Sequence, residues 1–199
     1  TGYNCFLVPG ILAMVAFSVA MNTSWGFFMD KDSGIFYELL TFPITRGQLL
    51  IGKIVFNVLV SLIGSLLAIL VALLAMDVEI RLDLLPLTAF IVAVTTGGWF
   101  FLFAIAAILM SRMDSFNTIT SAAYILLMFL STMFYPLDGL PMWFQTLAML
   151  NPMTWQVDIL RFSLLGTGDA TTLALEAIAF LAFSAISLVF AVRALNRVA

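Results

Sequence analysis

Long apolar runs without a charged side chain are the feature that most limits what this sequence can fold into. Five such runs lie at 5–29, 54–76, 84–111, 115–137 and 177–192. A helix of about 20 residues crosses a hydrocarbon core of roughly 30 Å, and the first four runs exceed that length. The last run reaches it if the helix begins near Ala170 and includes Glu176. We predict an all-α polytopic membrane protein whose five spans lie at about 7–29, 52–76, 85–110, 115–135 and 170–192.

The composition supports a membrane protein and excludes several classes of function. The 199 residues are 63% hydrophobic and 10% charged, whereas globular proteins are about half apolar and about a quarter charged. The net charge of −3 provides no basic surface, so we expect no nucleic-acid partner. Histidine is absent and Cys5 is the only cysteine, which excludes His-based catalysis and an intrachain disulfide. We therefore expect no catalytic, metal-binding or cofactor-binding residues.

The distribution of cations predicts the orientation in the membrane. If the loop after the first span is cytoplasmic, six of the eight cations lie inside, as the positive-inside rule requires. These six are Lys31, Arg46, Lys53, Arg112, Arg193 and Arg197. Thr1 is then outside, which suggests that one more span precedes it and that the parent protein has six. We expect a multi-pass protein of the cell inner (plasma) membrane, in contact with membrane lipids.

The stretch 139–166 does not fit a span although it is largely apolar. Asn151 precedes Pro152, and a residue before proline is pushed out of helical geometry. Two short helices are predicted, at about 140–150 and 152–165. They would form a re-entrant hairpin at the outer surface. Asp158 and Arg161 are spaced i, i+3 on the second helix, where they can form a local salt bridge or help to gate an outer exit.

The segment between the first two spans predicts a short amphipathic helix at about 32–42. Asp32 or Ser33 can cap its start, and Pro43 stops it. Its predicted apolar face consists of Ile35, Phe36, Leu39 and Leu40. Glu38 points the other way. The pattern fits either a helix that merely orders a loop or a docking element that passes force from a cytoplasmic partner into the next span.

A second local signal begins the helix that follows. Thr45 to Gln48 has the T-x-x-Q form of a capping box, which predicts a helix start that runs directly into the second span. The short helix and the span would therefore be hinged at Pro43.

Two motifs resemble those of the ABC-2-type exporter permeases. The run GIFYELLTFPITR, from Gly34 to Arg46, resembles the family's G-x-x-E-x-L-x-x-x-P-[IV]-[ST]-R segment. A later set of residues is similar to the family's Pro-containing turn, Leu-Pro pair and NP-[LM]-T-x-x-x-D-x-x-R signature. This set is Pro136, Pro141, Asn151, Pro152, Met153, Thr154, Asp158 and Arg161. The resemblance covers 1–199 as a single transmembrane domain from which the family's first span is missing.

The resemblance implies a permease subunit of an ATP-driven exporter. In this family two permease copies form the pathway, and two cytoplasmic ATPase subunits drive it. The short helix would be the coupling helix, and its implied ATPase-coupling residues are Asp32, Gly34, Ile35, Phe36, Glu38, Leu39, Leu40, Pro43 and Arg46. The implied outer hairpin or gate residues are Pro136, Pro141, Asn151, Pro152, Asp158 and Arg161. The cargo would be a lipid, polysaccharide, drug or similar molecule.

Two other functions fit the same residues. The chain contains no G-x-x-x-x-G-K-[ST] motif, so ATP and Mg would be bound by a partner ATPase. An ion-coupled secondary transporter is one alternative, and such proteins typically carry an ionisable group within a span. Glu176 is the nearest candidate, although it can also be an interfacial carboxylate that reaches the outer surface. A membrane scaffold without transport activity is the other alternative.

Overall fold

The fold of the chain is entirely helical in the part that the structure describes. A computed structural model describes residues 3–39, 41–75, 80–137 and 139–197, apart from the side chains of 3–5 and 197. Within these ranges there are eight α-helices, α1 (Tyr3–Asp32), α2 (Ile35–Leu39), α3 (Arg46–Ala75), α4 (Leu85–Leu109), α5 (Met113–Phe129), α6 (Met142–Met149), α7 (Pro152–Leu165) and α8 (Ala170–Arg197). A single 3-10 turn, Leu82–Leu84, precedes α4. The predicted all-α class is confirmed.

Four of the described helices are long and apolar enough to cross a membrane. They are α1, α3, α4 with its preceding turn, and α8. The predicted span at 115–135 is represented by α5, which has 17 residues and a length of about 25 Å. Its end at Phe129 is earlier than predicted because the carbonyls of Leu127 and Leu130 accept hydrogen bonds from the Asn151 side chain. The count of five spans remains a prediction.

Helices α1 and α4 form the centre of the bundle, and α3, α7 and α8 pack around them. Phe17 of α1 is fully buried, with its ring centre 4.7 Å from that of Trp99 on α4 in an edge-to-face contact. Trp99 in turn lies 5.3 Å from Phe183 of α8. Aromatic packing at these distances stabilises the core beyond the burial of apolar area. The main core therefore joins all the long helices through α4.

Small residues allow the helices to approach closely. A Cβ atom on Gly98 would clash with the Ser184 hydroxyl of α8 and would lie 3.0 Å from the Phe180 ring. A Cβ atom on Gly64 of α3 would lie 2.9 Å from a methyl group of Val15. Close packing of this kind is a main source of helix association in lipid, where there is no hydrophobic drive between helices.

A second apolar cluster defines one end of the bundle, which we call the α2 end. Its buried members come from α1, α2, α4, α5 and α8, and they are Phe27, Phe28, Phe36, Ala107, Ile108, Phe116, Ala194 and Leu195. Lys31, Arg46, Lys53 and Arg193 lie on the parts of α1, α3 and α8 at this end, and Arg112 immediately precedes α5. Most cations thus collect at the α2 end, as the topology prediction requires.

The region predicted as a hairpin contains two short helices, α6 and α7. Asn151 caps α7, Pro152 is its first residue, and Gly166 ends it with a left-handed φ of +71°. One helix start and one helix stop are therefore local features of the sequence. Helix α7 packs against α1, α4 and α8, and half of it is buried. Its depth in the membrane, and hence its re-entrant character, remains a prediction.

The predicted short helix at 32–42 is shorter in the structure, where α2 covers Ile35–Leu39. Asp32 is the last residue of α1, so the predicted cap by Asp32 or Ser33 is wrong. The Ser33 hydroxyl instead donates to the carbonyl of Met29. Leu40 lies outside the described residues.

Candidate functional site

Helix α2 is held against the bundle by one aromatic side chain. Phe36 is only 6% exposed, and its ring centre lies 5.5 Å from that of Phe27 on α1. The two rings are nearly perpendicular, which is a favourable arrangement for aromatic pairs. Phe36 therefore packs inside its own chain, and the single apolar face predicted for the short helix is divided between the bundle and the surface.

Three apolar side chains at α2 face outward, and we call them the α2 patch. They are Ile35, Tyr37 and Phe42, which are 47%, 49% and 57% exposed. Glu38 is exposed beside them and Leu39 is half-buried. Tyr37 and Phe42 are absent from the predicted docking residues, because helical periodicity groups Ile35 and Phe36 with Leu39. Only the contact between Phe36 and Phe27 reveals which face of α2 is free.

The turn between α1 and α2 depends on Gly34. Its φ of +83° lies in the left-handed region, which a residue with a side chain rarely adopts. Its carbonyl accepts hydrogen bonds from the amides of Tyr37 and Glu38, at 3.0 and 3.1 Å. The backbone thus turns at Gly34 between α1 and α2, and α2 begins without a side-chain cap.

The capping box at the start of α3 is confirmed. The Thr45 amide donates to Gln48 Oε1 at 2.8 Å, and the Gln48 amide donates to Thr45 Oγ1 at 3.3 Å. Pro43 is exposed between α2 and α3, and Arg46 is the first residue of α3. The α2 patch is therefore carried by a short connection whose two ends are both defined, by Gly34 and by Thr45.

At the opposite end of the bundle, Asp158 and Arg161 form the predicted ion pair at 2.6 Å. Both also bind the chain that follows α5. Thr132 Oγ1 donates to Asp158 at 3.2 Å, and Arg161 donates to the Thr132 carbonyl at 3.1 Å. The Arg161 guanidinium lies 4.2 Å from the centre of the Phe6 ring on α1. The pair therefore joins α7 to α1 and to the end of α5.

Asn151 and Pro152 are likewise part of this region, whereas the other two prolines serve local turns. The Asn151 side chain bonds to Leu127 and Leu130 at the end of α5. Pro141 immediately precedes α6, and its carbonyl accepts from the amides of Phe144 and Gln145. Pro136 is exposed in the turn after α5. The structure thus brings Asn151, Asp158 and Arg161 together around the end of α5.

A cavity of about 270 Å³ opens beside this ion pair. Its charged and polar lining is Asp158, Arg161, Thr167, Asp169, Thr172 and Glu176. Hydrogen bonds from the backbone and hydroxyl of Thr172 hold the pKa of Asp169 below its usual range. Glu176 Oε2 is buried and has no hydrogen-bond partner among the described residues. Within the same described ranges, no group of three His, Cys, Asp or Glu side chains is arranged to hold a metal ion.

A polar cavity of about 340 Å³ lies between α1 and the first turns of α5, beside the α2 end. It is lined by Met21, Asn22, Trp25, Phe116, Asn117, Thr120 and Ser121. Asn22, Asn117 and Ser121 are exposed. Amide and hydroxyl groups facing hydrocarbon are costly, so a surface of this kind requires water or another protein beside it.

The sequence pattern of the ABC-2 type transporter family matches residues 2–165. The chain belongs to the ABC-2 type transporter family. The matched range includes the α2 segment, the α1–α5 surface and the helices α6 and α7. The family resemblance predicted from the two motifs is therefore confirmed.

Several relatives of this ABC-2 chain are described as permeases. It is 27% identical over 166 residues to the putative transport permease ycf38 of Pyropia yezoensis, and covers 56% of that protein with 81% of its own length. It is 25% identical over 165 residues to the probable multidrug ABC transporter permease YbhR of Escherichia coli K12, and the match covers 43% of that protein and 80% of this chain. The probable ABC transporter permease protein NosY of Stutzerimonas stutzeri is 30% identical over 114 residues, and the match covers 38% of that protein and 55% of this chain. The ABC-2 chain thus spans about half the length of the curated relatives it matches.

Proposed function

We propose that this chain is the membrane subunit of an ATP-driven exporter. In this proposal, two copies enclose a pathway, and a cytoplasmic ATPase subunit binds the α2 patch and supplies the energy. ATP and Mg are bound by that ATPase. The observation that carries the proposal is the α2 patch itself. Its three exposed apolar side chains lie on α2 and on the turn that follows, and Gly34 and Thr45 define the two ends of this segment.

The cytoplasmic side of the membrane is assigned to the α2 end. Five of the described cations lie near that end, whereas Arg81 and Arg161 lie toward α6 and α7. The positive-inside rule then orients the hairpin outward. Exposed single cysteines at Thr41 and Thr167, in a Cys5→Ser background, test this orientation. A membrane-impermeant thiol reagent added outside should label Thr167→Cys and not Thr41→Cys, and the reverse result would contradict it.

The α2 patch is suited to an apolar cleft on the ATPase. Large apolar and aromatic side chains at the centre of an interface typically contribute about 2 kcal/mol or more each. In this proposal Tyr37 and Phe42 are the anchors because both are exposed, whereas Phe36 is buried against its own chain. Glu38, which is exposed beside them, belongs to the polar rim. Rim charges contribute less and mainly affect the rate of association.

Co-purification with the ATPase encoded beside this chain's gene is the direct test. Tyr37→Ala and Phe42→Ala should each weaken retention of the ATPase on the full-length permease. Ile51→Ala is the matched control, because Ile51 is 60% exposed on the second turn of α3 and lies outside the α2 patch. Equal retention in all three variants, at equal membrane content, would refute docking at the α2 patch.

The pathway is assigned to the polar surface between α1 and α5. Asn22, Asn117 and Ser121 are exposed on α1 and α5, and a water-containing passage shared by two copies satisfies such groups. Ser121→Cys should react with a hydrophilic thiol reagent in the assembled complex. Leu66→Cys on the exposed apolar side of α3 is the control and should not react. Reaction at neither position, or only at Leu66→Cys, would exclude this surface as the pathway.

Ion-coupled transport is the second candidate, and one observation favours it. Glu176 Oε2 is buried beside the outer cavity without a hydrogen-bond partner among the described residues. Glu176→Gln separates the two functions, because it should abolish ion-coupled transport while leaving ATP-driven export intact. Loss of ATP-independent uptake in vesicles carrying an imposed proton gradient would support the second candidate.

A further inference from the structure

The last turn of α1 contacts four different elements through four side chains, and we call these residues the α1 junction. Phe27 contacts Phe36 of α2, and Phe28 stacks on Phe116 of α5 with ring centres 5.2 Å apart. Asp30 pairs with Lys53 of α3 at 2.6 Å. The fourth residue, Lys31, binds α4. The last residues of α1 thus connect α2 to α3, α4 and α5.

Lys31 makes the most extensive polar contact of the four. Its ammonium group donates to the carbonyls of Ala107, Ile108 and Met110, at 3.0, 2.6 and 2.8 Å. The last carbonyls of a helix lack intrahelical partners and carry the negative end of the helix dipole. A cation that binds three of them at once holds the end of α4 by charge-assisted hydrogen bonds.

Among the described residues, no side chain other than Lys31 caps the end of α4. Its C-cap residue, Met110, is extended, with φ −84° and ψ 142°. Many helices end instead in a left-handed glycine that satisfies these carbonyls within the backbone. Lys31, which lies 76 to 79 residues earlier, does so here from another helix. The position of the end of α4 therefore depends on the end of α1.

The neighbouring contact of Asp30 is weaker. The Asp30–Lys53 pair is a single contact, and the side chains of Asp30 and Lys53 are 30% and 24% exposed. Partly exposed ion pairs contribute little to stability. By contrast, α4 has the most extensive contacts with α1 and with α8. A displacement delivered to α4 therefore reaches most of the bundle, whereas one delivered to α3 reaches less of it.

We propose that Lys31 is the positioning residue through which a movement of α2 is passed to α4 and α8. This inference rests on the proposed function, because the movement originates in the ATPase bound at the α2 patch. Phe36 and Phe27 carry the movement from α2 to the end of α1, and Lys31 carries it to α4. If Lys31 loses its three hydrogen bonds, α2 still moves with the ATPase but α4 does not follow.

The test uses the full-length permease in complex with its ATPase, in lipid nanodiscs and a Cys5→Ser background. A spin label at Thr41→Cys reports the movement of α2, and one at Leu87→Cys, which is exposed on the first turn of α4, reports α4. In each case the distance between the two spin labels, one on each permease copy, is measured without nucleotide and after trapping with ADP and vanadate. Both distances should change in the protein with Lys31 intact.

Lys31→Met keeps most of the apolar stem and removes the donors. We expect the change at Thr41 to remain and the change at Leu87 to fall by about half or more. Lys31→Arg should restore it, since a guanidinium can donate to the same carbonyls. Asp30→Asn is the matched control and should retain both changes, because it alters only the contact with α3.

A full change at Leu87 in Lys31→Met would overturn the inference. Loss of assembly in both Lys31→Met and Lys31→Arg would also overturn it, by showing that Lys31 is needed only for folding. If the protein with Lys31 intact shows no ATP-dependent change at Thr41, the proposed function fails, and the inference fails with it.

Discussion

The side-chain amide of Asn151 lies 2.7 Å from the carbonyl oxygen of Leu127, and with this contact one residue caps two helices. Its nitrogen also donates to Leu130 at 2.8 Å, while its oxygen accepts from the Met153 amide at 2.9 Å. The Asn151 side chain thus satisfies two carbonyls at the end of α5 and one of the first amides of α7. This arrangement explains why the Asn-Pro pair interrupts the chain where it does.

Replacement of Asn151 should separate the two capping roles. Asn151→Ala loses both, and we expect a loss of unfolding free energy of about 2 kcal/mol or more. Asn151→Ser keeps an acceptor for the Met153 amide and loses only the donors to α5, so its effect should be about 1 kcal/mol smaller. Thermal unfolding of the detergent-solubilised protein measures both. Equal destabilisation by Ala and Ser would show that the cap of α7 contributes nothing.

The Asp158–Arg161 pair should behave as a coupled unit. Arg161→Gln leaves the Asp158 carboxylate largely buried without its cation, so we expect a destabilisation of about 2 kcal/mol. Asp158→Asn in the same chain should recover part of this loss, because the unpaired charge is removed. A double-mutant cycle on thermal stability measures the coupling. If the stability changes of Arg161→Gln and Asp158→Asn simply add in the double variant, the ion pair does not contribute to stability.

Adjacent glycines on α4 provide a matched test of helix packing. Gly98→Ala would bring a Cβ atom into the Ser184 hydroxyl and the Phe180 ring, whereas a Cβ atom on Gly97 meets nothing within 4 Å. We expect Gly98→Ala to destabilise the α4–α8 contact by about 1–3 kcal/mol, since inserting a methyl group into a packed core forces it to shift. Gly97→Ala should leave thermal stability nearly unchanged. Similar melting temperatures for the two variants would refute this packing.

A buried polar chain should hold α7 against α4. The Trp99 indole donates to Gln156 Oε1 at 2.6 Å, and Gln156 Nε2 donates to Thr95 Oγ1 at 3.1 Å. All three side chains are buried. Gln156→Met leaves the indole N–H without an acceptor, and we expect a cost of about 1–3 kcal/mol in unfolding free energy. The matched variant Trp99→Phe with Gln156→Met should be more stable than Gln156→Met alone, and an equal or lower stability would contradict the role of this bond.

Two neighbouring aromatic residues in α2 should have different effects. Phe36→Ala removes the contact with Phe27 and should release α2, so that limited proteolysis cuts between Gly34 and Thr45. Tyr37→Ala should leave the protease resistance unchanged, because half of its side chain is exposed. It should nevertheless reduce retention of the ATPase. Protease sensitivity in Tyr37→Ala alone would reverse the assignment of the two faces.

Features that depend on residues close together in sequence could be predicted. The break at Asn151-Pro152, the capping box of Thr45 and Gln48 and the ion pair of Asp158 and Arg161 each involve residues no more than three apart. Local backbone geometry alone brings such partners together. The apolar runs likewise predicted the long helices, because helix length follows from the thickness of the bilayer.

The direction in which α2 faces, the early end of α5 and the cap of α4 by Lys31 were decided only by the tertiary structure. Phe36 and Tyr37 are adjacent aromatic residues in a five-residue helix, too short for periodicity to show which of them is buried. Asn151 lies more than 20 residues from the carbonyls that it caps, and Lys31 lies more than 70 from its own. Every residue has the same backbone carbonyl, so the sequence does not show which side chain will bind one at a helix end. The partner is determined only when helices distant along the chain pack side by side.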